Sequence, residues 1–140
     1  MIRILVPIDL TKVSFSAYNY AVHLARAIKA EITIIHVING AFSTHDASFL
    51  DTMDIIYESA NQRLSYFVNE FAEQMGLDDE DLVVKREVRF GVPGFTIADF
   101  ANDQKFDYVV AGMRDNHNII EKVLGTTSTI VTKMTTCPVI

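Results

Sequence analysis

The sequence predicts an α/β protein, a three-layer sandwich in which helices cover both faces of an open parallel sheet. Short apolar stretches rich in β-branched residues alternate along the chain with stretches whose apolar residues recur every three or four positions. Parallel neighbours in a sheet need such helical crossovers, which are right-handed in nearly all known proteins. The 140 residues amount to about one domain, so we expect a single domain over residues 1–140.

The first strand–helix–strand unit is predicted from the start of the chain. Residues 2–8 and 31–37 are almost continuously apolar, which suits strands that are buried on both faces. Ser14 can cap the helix between them by accepting hydrogen bonds from its first N–H groups. The spacing predicts that one face of this helix is apolar, formed by Ala17, Tyr20, Ala21, Leu24, Ala25 and Ile28.

A polar loop and a long helix follow the second strand. Residues 38–50 are irregular and polar, whereas a helical pattern of apolar residues runs from residue 51 to about residue 75. Gly76 is placed to end this helix in the left-handed conformation. Residues 78–81 read as a solvated acidic turn, and residues 82–88 as a third strand with a polar centre.

The rest of the chain is predicted to add two strands and two shorter helices. Residues 91–94, Gly-Val-Pro-Gly, open a short helix, and residues 107–112 form a fourth strand. After a second long connection, residues 125–128 lead into the last helix, and residues 137–140 start a fifth strand. Because so little of this strand is present, the chain could also be one half of a longer tandem protein.

Composition and charge exclude several classes of protein. Hydrophobic residues make up 49% of the chain, but never in the roughly 18 consecutive positions that a membrane span needs, and no signal peptide is visible. The 12 basic and 18 acidic residues give a net charge of −6. The basic residues form no stripe, so we expect no nucleic-acid binding. Cys137 is the single cysteine and cannot form an internal disulfide, which favours the cytoplasm.

Candidate binding residues lie where the predicted strands end, because ligands of open parallel sheets bind beyond the carboxyl ends of the strands. Asp9 follows the first strand, Val37 ends the second and Gly112 ends the fourth. Residues 125–128, Gly-Thr-Thr-Ser, precede the last helix, whose free N–H groups attract anions such as phosphate. Threonine and serine are equally typical as plain helix caps, and glycine as a turn residue. The residue types alone leave both interpretations open.

Neither a catalytic site nor a metal site is predicted. The four histidines show no spacing typical of metal ligands. The chain has no G-x-S-x-G motif and no Walker-type loop, and no nucleophile is paired with a convincing base.

The ordered set of motifs resembles the universal stress protein (UspA) family over essentially the whole chain. The motifs that carry the resemblance are residues 4–9 (Ile-Leu-Val-Pro-Ile-Asp), 36–37 (His-Val), 91–93 (Gly-Val-Pro), 107–112 (Asp-Tyr-Val-Val-Ala-Gly), 123–126 (Val-Leu-Gly-Thr) and 137–139 (Cys-Pro-Val). The resemblance implies a Rossmann-like fold of the adenine nucleotide alpha hydrolase type, with a five-stranded parallel sheet in the order 3-2-1-4-5. It also implies a homodimer, formed in many family members through the fifth strand.

The family divides into members that bind ATP and members that do not. Binders carry G-x-x-G, then nine residues, then glycine with serine or threonine. Gly112, Gly125 and Thr126 match this motif, but Asp115 stands at its middle glycine. A carboxylate there repels a phosphate by roughly 4 kcal/mol at about 4 Å and an effective dielectric of 20. We therefore expect ATP binding to be disfavoured, although Mg²⁺ shared between Asp115 and the phosphates would soften the repulsion.

The resemblance also implies where an adenine nucleotide would bind. The first strand's end would line one wall, Val37 would contact the base through its backbone, and the start of the last helix would surround the phosphates. Asp9 would lie near the ribose or a metal, but it is as readily a turn residue that bonds its own backbone. The complete candidate set is Pro7, Ile8, Asp9, Val37, Ala111, Gly112, Asp115, Gly125, Thr126, Thr127 and Ser128.

The family resemblance, together with Asp115 in place of the middle glycine of the ATP-binding motif, suggests two functions. We expect a non-catalytic stress-response module that acts through homodimerisation and contacts with protein partners. The alternative is a nucleotide-dependent switch or very slow ATPase that binds ATP or AMP with Mg²⁺.

Overall fold

A computed structural model of the chain describes residues 1–39, 47–76, 82–112 and 126–140, apart from the side chains of residues 47–50 and of Thr126. Strands and helices alternate along these residues, as predicted. The elements are β1 (Arg3–Pro7), α1 (Lys12–Ile28), β2 (Glu31–Ile38), α2 (Ala47–Met75), β3 (Val84–Phe90), α3 (Pro93–Asp103), β4 (Tyr108–Val109) and α4 (Thr126–Met134).

The strands form one parallel sheet in the order β3-β2-β1-β4. Arg3 pairs with Glu31 at the start of β1, and β2 pairs with β3 along the full length of β3. The prediction of a parallel α/β sheet is confirmed, as is the order of its first four strands. All carboxyl ends of the strands therefore lie at the same edge of the sheet.

The predicted fifth strand is wrong, because the described residues form a sheet of four strands. The end of the chain does lie beside β4, where Val109 and Val139 form an isolated parallel bridge. The Val109 N–H donates to the Pro138 carbonyl at 3.0 Å, and the Ile140 N–H donates back to the Val109 carbonyl at 2.8 Å. Since Pro138 has no N–H to continue the ladder and β4 is only 2 residues long, the pairing stays a bridge.

Several element bounds also differ from those predicted. The helix α2 begins at Ala47 rather than at Asp51, and β3 begins at Val84, two residues later than expected. At about 1.5 Å per residue, the 29 residues of α2 form a helix far longer than any strand. Among the described side chains of α2, those of residues 51–59 are exposed or half-buried, and Ala60 is the first that is buried.

Two apolar layers cover the sheet. Ile4 and Val6 face α1 and α2, whereas Leu5, between them in β1, faces α3 and α4. This alternation follows from the two-residue period of a strand, and each fully buried aliphatic side chain contributes about 1.5–3 kcal/mol. On the α2 side, the Tyr18 ring lies 4.7 Å from the Phe71 ring. Tyr20, predicted on the apolar face of α1, is instead 52% exposed.

Arg3 joins three elements at the amino end of the sheet. Its Nε lies 3.1 Å from a carboxylate oxygen of Glu31, and its Nη1 donates to the Gln104 carbonyl at 2.5 Å. The guanidinium lies 4.4 Å from the centre of the Phe106 ring, a cation–π contact. The Arg3 backbone N–H donates to the Asp107 carboxylate at 2.8 Å. Arg3 thereby ties β1 to β2 and to the turn before β4.

None of the helices in the described part of the chain is both long enough and apolar enough to cross a membrane.

Candidate functional site

A cleft of about 350 Å³ opens at the carboxyl edge of the sheet. It lies between the ends of β1 and β2 on one side and the first turns of α1, α3 and α4 on the other. Its lining residues are Pro7, Ile8, Asp9, Val13, Ser14, Ile35, His36, Val37, Pro93, Ile97, Ala111, Gly112, Thr127, Ser128 and Val131. Three helix amino termini thus point at one cavity, which favours negatively charged groups of a ligand.

Asp9 stands at the rim of the cleft in a turn that its own side chain organises. The carboxylate oxygen Oδ1 accepts hydrogen bonds from the Thr11 N–H at 3.0 Å and from the Thr11 hydroxyl at 2.5 Å. The same oxygen accepts a short hydrogen bond from the Ser14 hydroxyl. Leu10 completes the turn with a φ of 67°, in the left-handed region. The turn role predicted for Asp9 is therefore present, and the residue also lines the cleft.

Ser14 does not cap α1, contrary to the prediction. The N-cap residue is Thr11, and Ser14 lies inside the first turn of the helix, where it is 5% exposed. Its hydroxyl oxygen accepts from the Asp9 N–H at 2.7 Å while its hydrogen goes to the Asp9 carboxylate. The serine therefore serves the preceding turn rather than the N–H groups of the helix. This arrangement resembles a capping box reaching two residues further back.

His36 forms part of the cleft wall with a defined ring orientation. Its Nδ1 lies 2.7 Å from the Ile8 carbonyl oxygen. Because a carbonyl only accepts, Nδ1 carries a hydrogen and Nε2 of the neutral ring is the acceptor. The other side chains on this side, among them Val37, Ile97 and Val131, are apolar. This half of the cleft suits a flat, largely apolar ring system with a few polar edge atoms.

The opposite half is built from small and hydroxyl-bearing residues. Thr127 and Ser128 lie in the first turn of α4 and face Gly112, whose carbonyl lies 3.4 Å from the Ser128 hydroxyl. A Cβ at Gly112 would lie 2.6 Å from Val13 Cγ1 and 2.9 Å from the Val13 carbonyl oxygen. Glycine is thus required where the chain leaving β4 passes the first turn of α1. No lysine or arginine belongs to the described lining, so anion binding here relies on N–H groups and hydroxyls.

The structure brings eight of the eleven predicted site residues around this one cleft. The eight are Pro7, Ile8, Asp9, Val37, Ala111, Gly112, Thr127 and Ser128. Thr126 begins α4, but its side chain is not described, and Asp115 and Gly125 lie outside the described residues. That these residues bind a ligand stays a prediction.

Sequence reasoning missed several residues of the lining. Pro93 and Ile97 enter from the first two turns of α3, and Val131 from the second turn of α4. The predicted topology contained a usable signal, because in a parallel α/β sheet every helix that follows a strand starts at the carboxyl edge. The sequence predicted Ser14 as a helix cap and missed its hydrogen bond to Asp9. The short turn between β1 and α1 was the signal that brings these two residues together.

The described residues contain no group of three or more histidine, cysteine or carboxylate side chains that could hold a metal ion. Among the described residues of the cleft lining, Asp9 is the only carboxylate, and its oxygen Oδ1 already accepts three hydrogen bonds.

Comparison with known proteins agrees with the fold and assigns the family. The model of the universal stress protein family matches residues 1–140, so the chain belongs to that family. Among characterised relatives, universal stress protein YxiE of Bacillus subtilis is 27% identical over 147 aligned positions, covering 99% of this chain and 96% of the relative.

Solved structures show the same fold. A universal stress protein UspA from Lactobacillus plantarum has a TM-score of 0.76 at 23% identity, with 99% of this chain and 95% of that chain covered. A universal stress protein in complex with cAMP has a TM-score of 0.69 at 19% identity, with coverages of 99% and 94%. A family protein from Arabidopsis thaliana with AMP bound has a TM-score of 0.66 at 17% identity, with coverages of 100% and 90%.

Proposed function

We propose that this universal stress protein binds an adenine nucleotide with a short phosphate chain, such as AMP, in the cleft at the carboxyl edge of the sheet. The observation that carries the proposal is the convergence of eight predicted nucleotide-site residues on one cavity of about 350 Å³. Two proteins of the same fold were solved with cAMP and with AMP, which supports an adenine nucleotide as the ligand.

The two halves of the cleft match the two ends of such a ligand. The apolar wall around Val37 and Ile97 suits the base, and the His36 ring, oriented by its bond to the Ile8 carbonyl, adds a polar edge. Thr127 and Ser128 place hydroxyl groups at the start of α4, where the free N–H groups of the helix favour a phosphate. Asp9, at the rim between these halves, is a hydrogen-bond acceptor for ribose hydroxyls.

Size and charge favour a monophosphate over a triphosphate. Ligand cavities usually measure roughly 300–1,000 Å³, so 350 Å³ lies at the small end of the range. The described lining offers no lysine or arginine to neutralise extra phosphates. Asp115, at the sequence position of the middle glycine in ATP-binding members, adds a negative charge. We expect ATP to bind more weakly than AMP, with Mg²⁺ recovering part of the difference.

We further propose that the nucleotide is a signal rather than a substrate. The buried Ser14 hydroxyl is committed to Asp9, and no lining residue among those described combines a nucleophile with a histidine base. A non-catalytic module transmits binding through contacts with other molecules. Residues 138–140 use one side of their backbone for β4, and their other side is suited to pair with a second copy of the chain.

Ligand binding is tested by titration calorimetry and thermal shift with adenosine, AMP, cAMP, ADP and ATP, each with and without Mg²⁺. A ligand that binds only the folded chain raises its melting temperature by mass action. We expect AMP to give a saturable signal and ATP a weaker one. If none of these compounds raises the melting temperature at millimolar concentration, nucleotide binding is contradicted. The remaining hypothesis is then a module that acts through dimerisation alone. Light scattering with and without AMP measures the oligomeric state.

Thr127→Asp and Thr127→Asn form a matched pair for the phosphate end of the cleft. Asparagine and aspartate have the same shape, but only aspartate adds a charge, and aspartate in the first turn is compatible with helix stability. We expect Thr127→Asp to lose AMP binding at least tenfold relative to Thr127→Asn, with adenosine binding similar in both. Equal AMP affinity in the two variants contradicts the placement of the phosphate.

A further inference from the structure

β3 forms one edge of the sheet that the described residues build, and none of its residues lines the cleft. β3 is the terminal strand in the order β3-β2-β1-β4, and within the described residues no strand pairs with its outer side. It is 7 residues long and pairs with β2 in an unbroken register from Val84 to Phe90. An edge of this length presents a row of backbone donors and acceptors for a further strand.

The hydrogen bonds to β2 identify which backbone groups face outward. The Ile32 N–H donates to the Val83 carbonyl, and at the other end the Gly91 N–H donates to the Ile38 carbonyl. Successive residues of a strand direct their N–H and C=O groups to opposite sides. The odd-numbered residues from 83 to 91 therefore make the backbone hydrogen bonds to β2. Between Val84 and Arg89, the residues whose N–H and C=O groups face outward are therefore Val84, Arg86 and Val88.

One face of this edge is basic, in a chain whose net charge is −6. Lys85 and Arg89 have side chains that are 56% and 50% exposed, and Glu87 between them is 31% exposed. Glu87 lies 2.6 Å from Arg89, and Lys85 shares the largely buried Glu31 with Arg3. With Arg86 also exposed on the other face, cations exceed carboxylates along the strand.

β3 lacks three features that usually block an edge, since it contains no proline, its register shows no bulge, and it is longer than β4. Its protection is limited to charged side chains. Lysine and arginine side chains on an edge strand discourage pairing with another basic strand, but they favour pairing with an acidic one.

We propose that the outer edge of β3 binds an extended acidic peptide segment as an added strand. The partner carries carboxylates four residues apart, one opposite Lys85 and one opposite Arg89, with a neutral residue opposite Glu87. Its backbone hydrogen bonds to the outward-facing groups supply affinity, and the two carboxylates supply specificity. This surface is separate from the proposed nucleotide cleft and gives the module a defined class of protein partner.

The test uses the full chain and the fluorescein-labelled peptide Thr-Glu-Val-Thr-Val-Glu-Thr with blocked termini. Fluorescence anisotropy is expected to show saturable binding that weakens with added salt, and the version with lysine in place of both glutamates is expected not to bind. Absence of saturable binding, or equal binding of the two peptides, overturns the proposal. Stronger binding of single-stranded nucleic acid than of the acidic peptide overturns it in favour of a generic polyanion surface.

Arg86→Pro and Arg86→Ala separate backbone pairing from simple charge attraction. Both lose the side chain that donates to Ser65, but only proline removes the outward N–H while leaving the β2 ladder intact. We expect Arg86→Pro to bind the acidic peptide about tenfold more weakly than Arg86→Ala, the effect of roughly one hydrogen bond. Equal affinity of the two variants overturns the added-strand geometry. If Arg86→Pro does not fold, Val84→Pro and Val84→Ala make the same comparison.

Discussion

The Ser14 hydroxyl is bonded twice to Asp9, donating to its carboxylate and accepting from its N–H at 2.7 Å. Both bonds cross the turn between β1 and α1, next to Leu10 in its left-handed conformation. The serine is buried, whereas Asp9 is exposed at the rim of the cleft. A buried hydroxyl thus fixes the orientation of an exposed carboxylate.

Replacing Ser14 with alanine is expected to destabilise the fold and to weaken AMP binding. The change removes both bonds to Asp9, which corresponds to about 1–2 kcal/mol in the free energy of unfolding. Urea denaturation measures the stability, and calorimetry measures the affinity. Ser16→Ala is the control, because the exposed Ser16 makes only a long contact of 3.4 Å to the Lys12 carbonyl. Equal stability of the two variants would show that the turn at Asp9 forms without the hydrogen bonds from Ser14.

Gly112→Ala is expected to destabilise the chain by about 1–3 kcal/mol, the usual cost of overpacking. The added Cβ meets both the side chain and the backbone of Val13. Val13→Ala in the same chain removes the contact at 2.6 Å but leaves the carbonyl contact at 2.9 Å. The double variant is therefore expected to recover only part of the loss. Full recovery in chemical denaturation would place the whole clash on the Val13 side chain.

Lys29→Gly is expected to stabilise the chain. Lys29 ends α1 with a φ of 55°, in the left-handed region that glycine adopts without strain. Relief of this strain corresponds to about 1 kcal/mol, reduced by the greater freedom of glycine in the unfolded chain. Lys29→Ala controls for loss of the side chain and is expected to bring no gain. A melting temperature that rises equally in both variants would point to the charge instead.

Asn102→Ala is expected to loosen the end of the chain. The amide of Asn102 donates to the Met134 carbonyl at 2.9 Å and accepts from the Thr136 N–H at 2.9 Å. These bonds join α3 to the segment that lies beside β4, and their loss corresponds to about 1–2 kcal/mol. Hydrogen exchange at residues 136–140 is expected to accelerate. Asp103→Ala, on the exposed side of the same helix end, is expected to leave exchange there unchanged.

Cys137 is expected to react slowly with alkylating reagents in the folded chain. Burial raises the pKa of its thiol, a backbone hydrogen bond opposes this, and the Asp107 carboxylate adds to the increase. The folded chain then holds the proton more tightly than the unfolded chain, so stability falls as the pH rises from the unfolded to the folded pKa. Iodoacetamide rates across alkaline pH, with and without urea, measure both values. A folded pKa at or below the unfolded one contradicts this prediction.

The alternation of strands and helices was sufficient to predict a parallel sheet and the edge at which the cleft lies, because both follow from the connection rules of parallel sheets. The order of the first four strands was instead predicted from the resemblance to the universal stress protein family. The apolar face of α1 was predicted less well, since Tyr18 is 2% exposed and Tyr20 is 52% exposed. A helical period places both tyrosines near the boundary of the predicted face. Tyr18 is the one that packs against the Phe67 and Phe71 rings of α2, a contact that the spacing along α1 does not predict.

The errors at the end of the sheet have a different cause. Whether residues 107–112 and 137–140 form strands depends on the backbone bonds that each makes with its neighbour. The apolar run was visible, but the missing donor at Pro138 prevents the pairing from extending toward residue 107, and within the described residues only the bridge at Val109 and the bond from the Ala111 N–H to the Ile140 carbonyl are formed. The hydrogen-bond partner of Ser14 could not be predicted from the sequence either, because a hydroxyl residue at the start of a helix can bond to the helix or to the preceding turn.

The contacts of Arg3 make the amino end of the sheet more cross-linked than the carboxyl end, where the cleft lies. Its contacts with Glu31, Gln104 and Phe106 cross-link strands and turn at the end remote from the cleft. We therefore expect hydrogen exchange to be slower at this cross-linked end of the sheet than at the carboxyl edge, where these contacts are absent among the described residues.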